Sequence, residues 1–178
     1  MLAYIIVAVA VIWRLALPFV PNPAFHFTPV LAALLFFGAR QPKKWLWVPL
    51  LLMASTDVIL NAHYGYALKA DVLVTWVWYA AVLFLGGWLK QKQSVLRVAS
   101  SALTGSVSFF LVSNFGVWAV WNLYPKNLGG LLACYAAGVP FYRNQLAGDL
   151  IFTAAVFGLP ALVKLMQRER AENQLPAA

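Results

Sequence analysis

Six stretches of the chain are dominated by apolar residues, and short polar or proline-bearing connections separate them. A membrane-crossing helix needs roughly 20 apolar residues, fewer when it is short or enclosed in a bundle. Helices are therefore predicted at about 2–20, 27–39, 45–61, 72–89, 95–121 and 146–166. Helix 1 should end at the proline cluster Pro18, Pro21 and Pro23. Helix 2 should begin at Thr28-Pro29, with Thr28 as N-cap and Pro29 in the first helical position. The expected fold is an all-α, polytopic six-helix membrane bundle, with one domain over 1–166 and a polar tail over 167–178.

The segment 127–144 lies outside that pattern. Gly129-Gly130, Gly138 and Pro140 interrupt it, so it reads as a re-entrant or lid-like piece between helices 5 and 6, or as a plug over the bundle. Irregular backbone at membrane depth is tolerated only when buried in protein or lining water.

Composition agrees with a membrane chain. The 178 residues are 63% hydrophobic and 10% charged, where a soluble domain is about 25% charged. Mean hydropathy is +0.77. Eight Trp are present, a residue enriched at membrane interfaces. The first 20 residues lack a basic n-region and a small-x-small cleavage site, so they read as a retained helix.

The net charge of +8 is better assigned to topology than to nucleic acid, because no basic patch is interleaved with aromatics on a soluble face. Nine of the thirteen Lys and Arg fall in the 40–44 and 90–97 connections and near the C-terminus. The other connections hold only Lys69, Lys126 and Arg143, and Arg14 lies inside helix 1. The positive-inside rule then places both termini in the cytoplasm of a bacterial inner membrane protein.

That orientation puts the intramembrane polar residues in the outer half: Arg14, Asp57, Asn114, Asn144 and Asp149. Ionisable groups in a membrane are costly and face one another or a watery cavity. Arg14, Asp57 and Asp149 therefore form either an ion-pair staple of helices 1, 3 and 6 or part of a substrate cavity. Asp149 can also serve the positive end of its helix dipole. The outer segments are rich in aromatics and amides, among them Tyr64, Tyr135, Phe25, His26 and Asn22, which suits an apolar ligand pocket or an interfacial belt. Trp118, Tyr64 and Tyr135 are the expected walls. Small residues at four-residue spacing on helix 5 (Ser100, Thr104 and Ser108, with Ser101 and Gly105) serve internal packing or docking to another subunit.

Several chemistries lack their motifs. There is no phosphate loop, no H-E-x-x-H and no G-x-S-x-G elbow. The single Cys134 excludes an intrachain disulfide, and its apolar neighbours make it a small buried hydrophobe. No catalytic residue, metal ligand or cofactor is assigned.

The residues R-x-x-x-P (14–18), F-T-P (27–29), F-G-A (37–39), Asp57, S-N-F-G-V-W (113–118) and C-Y-x-x-x-x-P-F-x-x-N-x-x-x-G-D (134–149) carry a resemblance. The chain resembles a group of small bacterial membrane proteins, which in turn look like the substrate-binding S-components of energy-coupling factor vitamin transporters. The resemblance implies capture of a vitamin or metal-containing micronutrient by outward-facing loops. It also implies toppling of the protein in the membrane against a transmembrane partner driven by two ATPases. S-components often carry A-x-x-x-A on helix 1, whereas Ala3, Ala8 and Ala10 do not have that spacing here. A solitary carrier thus stays open.

The expected function is outer-face binding of a small micronutrient for uptake, by a non-enzyme. The candidate contacts are Arg14, Asp57, Tyr64, Asn114, Trp118, Tyr135, Asn144 and Asp149. The alternatives are a cell-envelope scaffold without a small ligand, and a membrane enzyme acting on a lipid-linked substrate with Asp57 or Asp149 as base.

Overall fold

The computed structural model describes residues 1–20 and 27–173. The expected features at Pro21, Asn22, Pro23, Phe25 and His26, and the last five residues of the tail, lie outside the described residues. Six α-helices follow in order: α1 Leu2–Ala16, α2 Val30–Arg40, α3 Trp47–His63, α4 Asp71–Trp88, α5 Val95–Val120 and α6 Leu128–Asn173. Short 3-10 turns at Leu17–Phe19 and Lys43–Trp45 flank α1 and α3. No strand occurs among the described residues.

Every helix but α2 is long and apolar enough to cross a membrane. Their surfaces agree: Leu2, Ile5, Val9 and Ile12 of α1 recur at helical spacing and are all exposed. An exposed apolar stripe of this length would be a liability in water, whereas lipid receives it without cost. The chain is thus a multi-pass helical bundle with an apolar outer surface.

α2 is the pillar of the bundle. It has 11 residues, about 16 Å at 1.5 Å per residue, too short to cross alone. Every residue from Val30 to Ala39 is buried, enclosed by α1, α4, α5 and α6. It starts three residues later than expected. Pro29 occupies the N-cap position and no side chain caps the helix, so Thr28 does not take the predicted capping role. The crossing with α4 depends on two glycines. A Cβ at Gly38 would collide with the Leu83 carbonyl, and one at Gly86 with the Leu35 carbonyl.

The connections sort by charge. Arg40 donates to Gln93 Oε1 at 3.0 Å, and Lys90 Nζ donates to the Gln41 carbonyl. The 40–44 and 90–94 connections therefore meet at one basic end. At the opposite end, Trp121 Nε1 donates to Asp71 Oδ2 at 2.9 Å, and Lys69 Nζ sits 3.7 Å from the Trp121 ring centroid.

One expectation is corrected. Segment 127–144 is neither re-entrant nor an irregular lid, because it is the first part of the 46-residue α6, which runs through Pro140 and Pro160. Its glycines and proline were expected to break it. A continuous partner prevents that: α5 lies antiparallel, and Tyr135 Oη donates to the Leu111 carbonyl at 2.9 Å while Phe110 and Tyr142 stack at 4.7 Å. Gly138 is the close-approach point, since a Cβ there would press on the Asn114 amide. The helix-5 small residues divide accordingly. Ser101 and Gly105 turn inward, with Gly105 against Leu31, whereas Ser100 and Thr104 are exposed.

Candidate functional site

Arg14 stands on the last turn of α1, near the end opposite the basic one, and points into the bundle. One of its Nη atoms donates to Thr56 Oγ1 at 3.0 Å and to Tyr79 Oη at 2.7 Å. The other donates to Asp57 Oδ1 in an ion pair whose side chains are 17% and 9% exposed. Trp76 Nε1 donates to Asp57 Oδ2 at 3.0 Å, and Thr56 Oγ1 donates to the Met53 carbonyl at 2.7 Å. The cluster links α1, α3 and α4. It is compact and neutral, as a buried pair must be to persist at low dielectric.

Behind this cluster lies a cavity of about 280 Å³. Arg14 and Tyr79 form one side, and Trp78, Phe109 and Phe141 supply aromatic walls. Phe27, Thr28, Val30 and Leu31 close it from the start of α2, while α6 contributes Asn144, Gln145 and Asp149. The Phe27 position is fixed by Trp13 Nε1, which donates to its carbonyl at 3.0 Å, and by a 5.8 Å contact with the Phe152 ring. Gly148 makes room for it, because a Cβ there would strike the Phe27 side chain. Trp78 is held by its Nε1, which donates to Ser108 Oγ at 3.0 Å.

Asp149 differs from Asp57. It is 5% exposed, and its Oδ2 has no hydrogen-bond partner among the described residues. Its polar neighbours are the side chains of Ser106 and Gln145, both neutral. The expected three-member staple is therefore a pair, Arg14 with Asp57, and Asp149 lies apart from it.

Of the eight candidate residues, four converge. Arg14, Asn144 and Asp149 line the cavity, and Asp57 backs Arg14. The others lie elsewhere. Asn114 Nδ2 donates to the Phe110 carbonyl of its own helix at 2.8 Å, and its own carbonyl accepts from Cys134 Sγ at 3.4 Å. Trp118 Nε1 donates to the Pro125 carbonyl at 2.9 Å in the α5–α6 turn, where Lys126 covers the ring. Tyr135 is tied to Leu111, and Tyr64 is an exposed member of a ring cluster with His63 and Tyr66. Phe27 and Phe141 are among the outer aromatics expected to suit a pocket, and the lining residues not anticipated are Thr28, Trp78, Tyr79, Phe109 and Gln145.

A second, larger cleft of about 930 Å³ opens at the basic end between α1, α2, α5 and α6. It is lined by Ala3, Phe36, Val98, Ala102 and Phe157, with Arg40 and Gln93 at its rim. Both linings are mostly apolar, and the smaller cavity adds Arg14, Asn144, Gln145 and Asp149.

Among known proteins, residues 1–173 match the model of a family of unknown function, DUF6580. No curated protein and no solved structure matches the chain.

Proposed function

Since the chain belongs to the DUF6580 family, whose function is unknown, we propose from the geometry of the site that it captures a small molecule in the cavity beside Arg14. The observation that carries the reading is Asp149, a buried carboxylate with no cationic partner among the described residues, lining an aromatic-walled cavity in an otherwise apolar bundle. Membrane-buried carboxylates that only stabilise a fold are paired, as Asp57 is. An aromatic cavity with a few convergent polar groups is the usual form of a small-ligand site.

In orientation, the basic end faces the cytoplasm of a bacterial inner membrane and the cavity opens from the outer half. The protein then acts in uptake, as the substrate-binding S-components of energy-coupling factor transporters do, and the ligand is a vitamin-like or metal-containing micronutrient. The apolar cleft at the basic end offers a seat for the transmembrane and ATPase partners that such uptake requires. The cavity beside Arg14 and Asp149 and the apolar cleft at the other end suit a protein that holds cargo at one level and a membrane partner at the other.

Native mass spectrometry of the protein drawn from its own membrane in mild detergent tests this. The expected result is a small-molecule adduct that is retained by the wild type and lost in Asp149→Asn. An adduct-free chain in stable complex with another membrane protein would replace this reading by a scaffold role.

A further inference from the structure

Charge is unevenly divided around the cavity. The Arg14 guanidinium already meets Asp57, with two hydroxyl acceptors besides. It offers a ligand no unmatched positive charge. Asp149 is in the reverse position: it is 5% exposed, and among the described residues it pairs with no cation. Ser106 and Gln145 beside it are neutral and supply no counter-charge. A bare carboxylate in such a place is costly, and the cost is removed by an ion pair with additional hydrogen bonds.

The walls favour the same partner. The rings of Trp78, Tyr79, Phe109 and Phe141 line the cavity. A cation within about 6 Å of an aromatic face is attracted by its quadrupole, most strongly when desolvated. At about 280 Å³ the space is at the small end for ligand pockets, which run from roughly 300 Å³ upward. We infer that the ligand is a small organic cation, with an amine-type nitrogen on Asp149 and an apolar or aromatic body against Trp78 and Tyr79. The amides of Asn144 and Gln145 take its neutral polar groups. This assignment rests on the cavity being a ligand site and adds the class of ligand to it.

Three probes of one shape test it on the full chain in detergent: 2-phenylethylammonium, 2-phenylethanol and phenylacetate, titrated against tryptophan fluorescence and checked by calorimetry. The ammonium should bind at least ten-fold more tightly than the alcohol, and phenylacetate should be weakest. Asp149→Asn should bring the ammonium down to the alcohol's affinity, and Asp149→Glu should keep the preference. A preference for alcohol or carboxylate, or unchanged ammonium affinity in Asp149→Asn, overturns the cation assignment and leaves the cavity a ligand site. Binding of none of the three, together with an adduct-free native mass spectrum, removes both readings. Should Asp149→Asn fail to fold, the wild-type ranking of the three probes decides alone.

Discussion

Removing Asp57 strips three donors of their acceptor at once. Arg14, Trp76 and Tyr79 all direct a hydrogen to its carboxylate, the last at 3.4 Å. Breaking a buried ion pair by deleting one partner costs about 3–5 kcal/mol. Arg14 keeps Thr56 and Tyr79 as acceptors, which places Asp57→Ala near the lower end. Hydrogen bonds within membrane bundles average about 0.6 kcal/mol, so the Trp76 and Tyr79 contacts add roughly one more. The expected loss is therefore about 4 kcal/mol in unfolding by SDS from mixed micelles, followed by tryptophan fluorescence. The double variant Arg14→Met with Asp57→Leu removes both charges and should recover most of that loss, since an apolar pair of similar volume is often as stable as the ion pair. A loss below about 1 kcal/mol for Asp57→Ala, or a double variant no better than the single one, would refute the account of this cluster as a mutually satisfied pair.

Further outcomes follow from other contacts. Gly38→Val or Gly86→Val drives a side chain into the carbonyl of Leu83 or Leu35, and each should cost about 1–3 kcal/mol or more in the same SDS titration. Asn114→Ala removes only a bond within α5, so it should change stability by less than about 1 kcal/mol and leave probe binding as in the wild type. Gly148→Leu should push Phe27 into the cavity and weaken the ammonium probe at least ten-fold, read by the same fluorescence titration. In a Cys134→Ala background, Tyr66→Cys should react with an impermeant maleimide on intact cells and Lys43→Cys only after lysis. The reverse labelling would invert the orientation.

Helix placement was legible because apolar run length is a strong signal in a membrane chain. Five of the predicted helices lie within a few residues of α1 to α5. The meeting of Arg14 and Asp57 was legible only as part of a three-member cluster, because depth alone does not say which of two carboxylates the guanidinium takes. The rest of the cavity was hidden by the reading of 127–144. Glycine and proline weaken a helix locally, but α5 supports the other face of α6 here. Once that segment is helical, Phe141, Gln145 and Asp149 fall at four-residue spacing on one face, which is the cavity's α6 wall. Trp78 and Tyr79 carried no such signal, since an aromatic in a membrane helix reads equally as belt or core. The burial of α2 was also beyond the sequence, because length shows that a helix is short and not that four neighbours enclose it.

α6 has a mechanical consequence. At 1.5 Å per residue its 46 residues extend about 69 Å, more than twice the hydrocarbon thickness of about 30 Å. Pro160 and Ala161 border the same cleft as Val95, where α5 begins. Residues 162–173 therefore continue the helix beyond that cleft at the basic end as a rod of about 18 Å. From Asp149 to the end of that rod is about 36 Å along one helix. Ten degrees of tilt about the cavity sweeps the far tip through about 6 Å by simple leverage, and Pro160 at the base of the rod removes one of the helix's hydrogen bonds there. A spectroscopic label on that tip thus acts as a pointer, magnifying on one side of the membrane small rotations made at the carboxylate near the other.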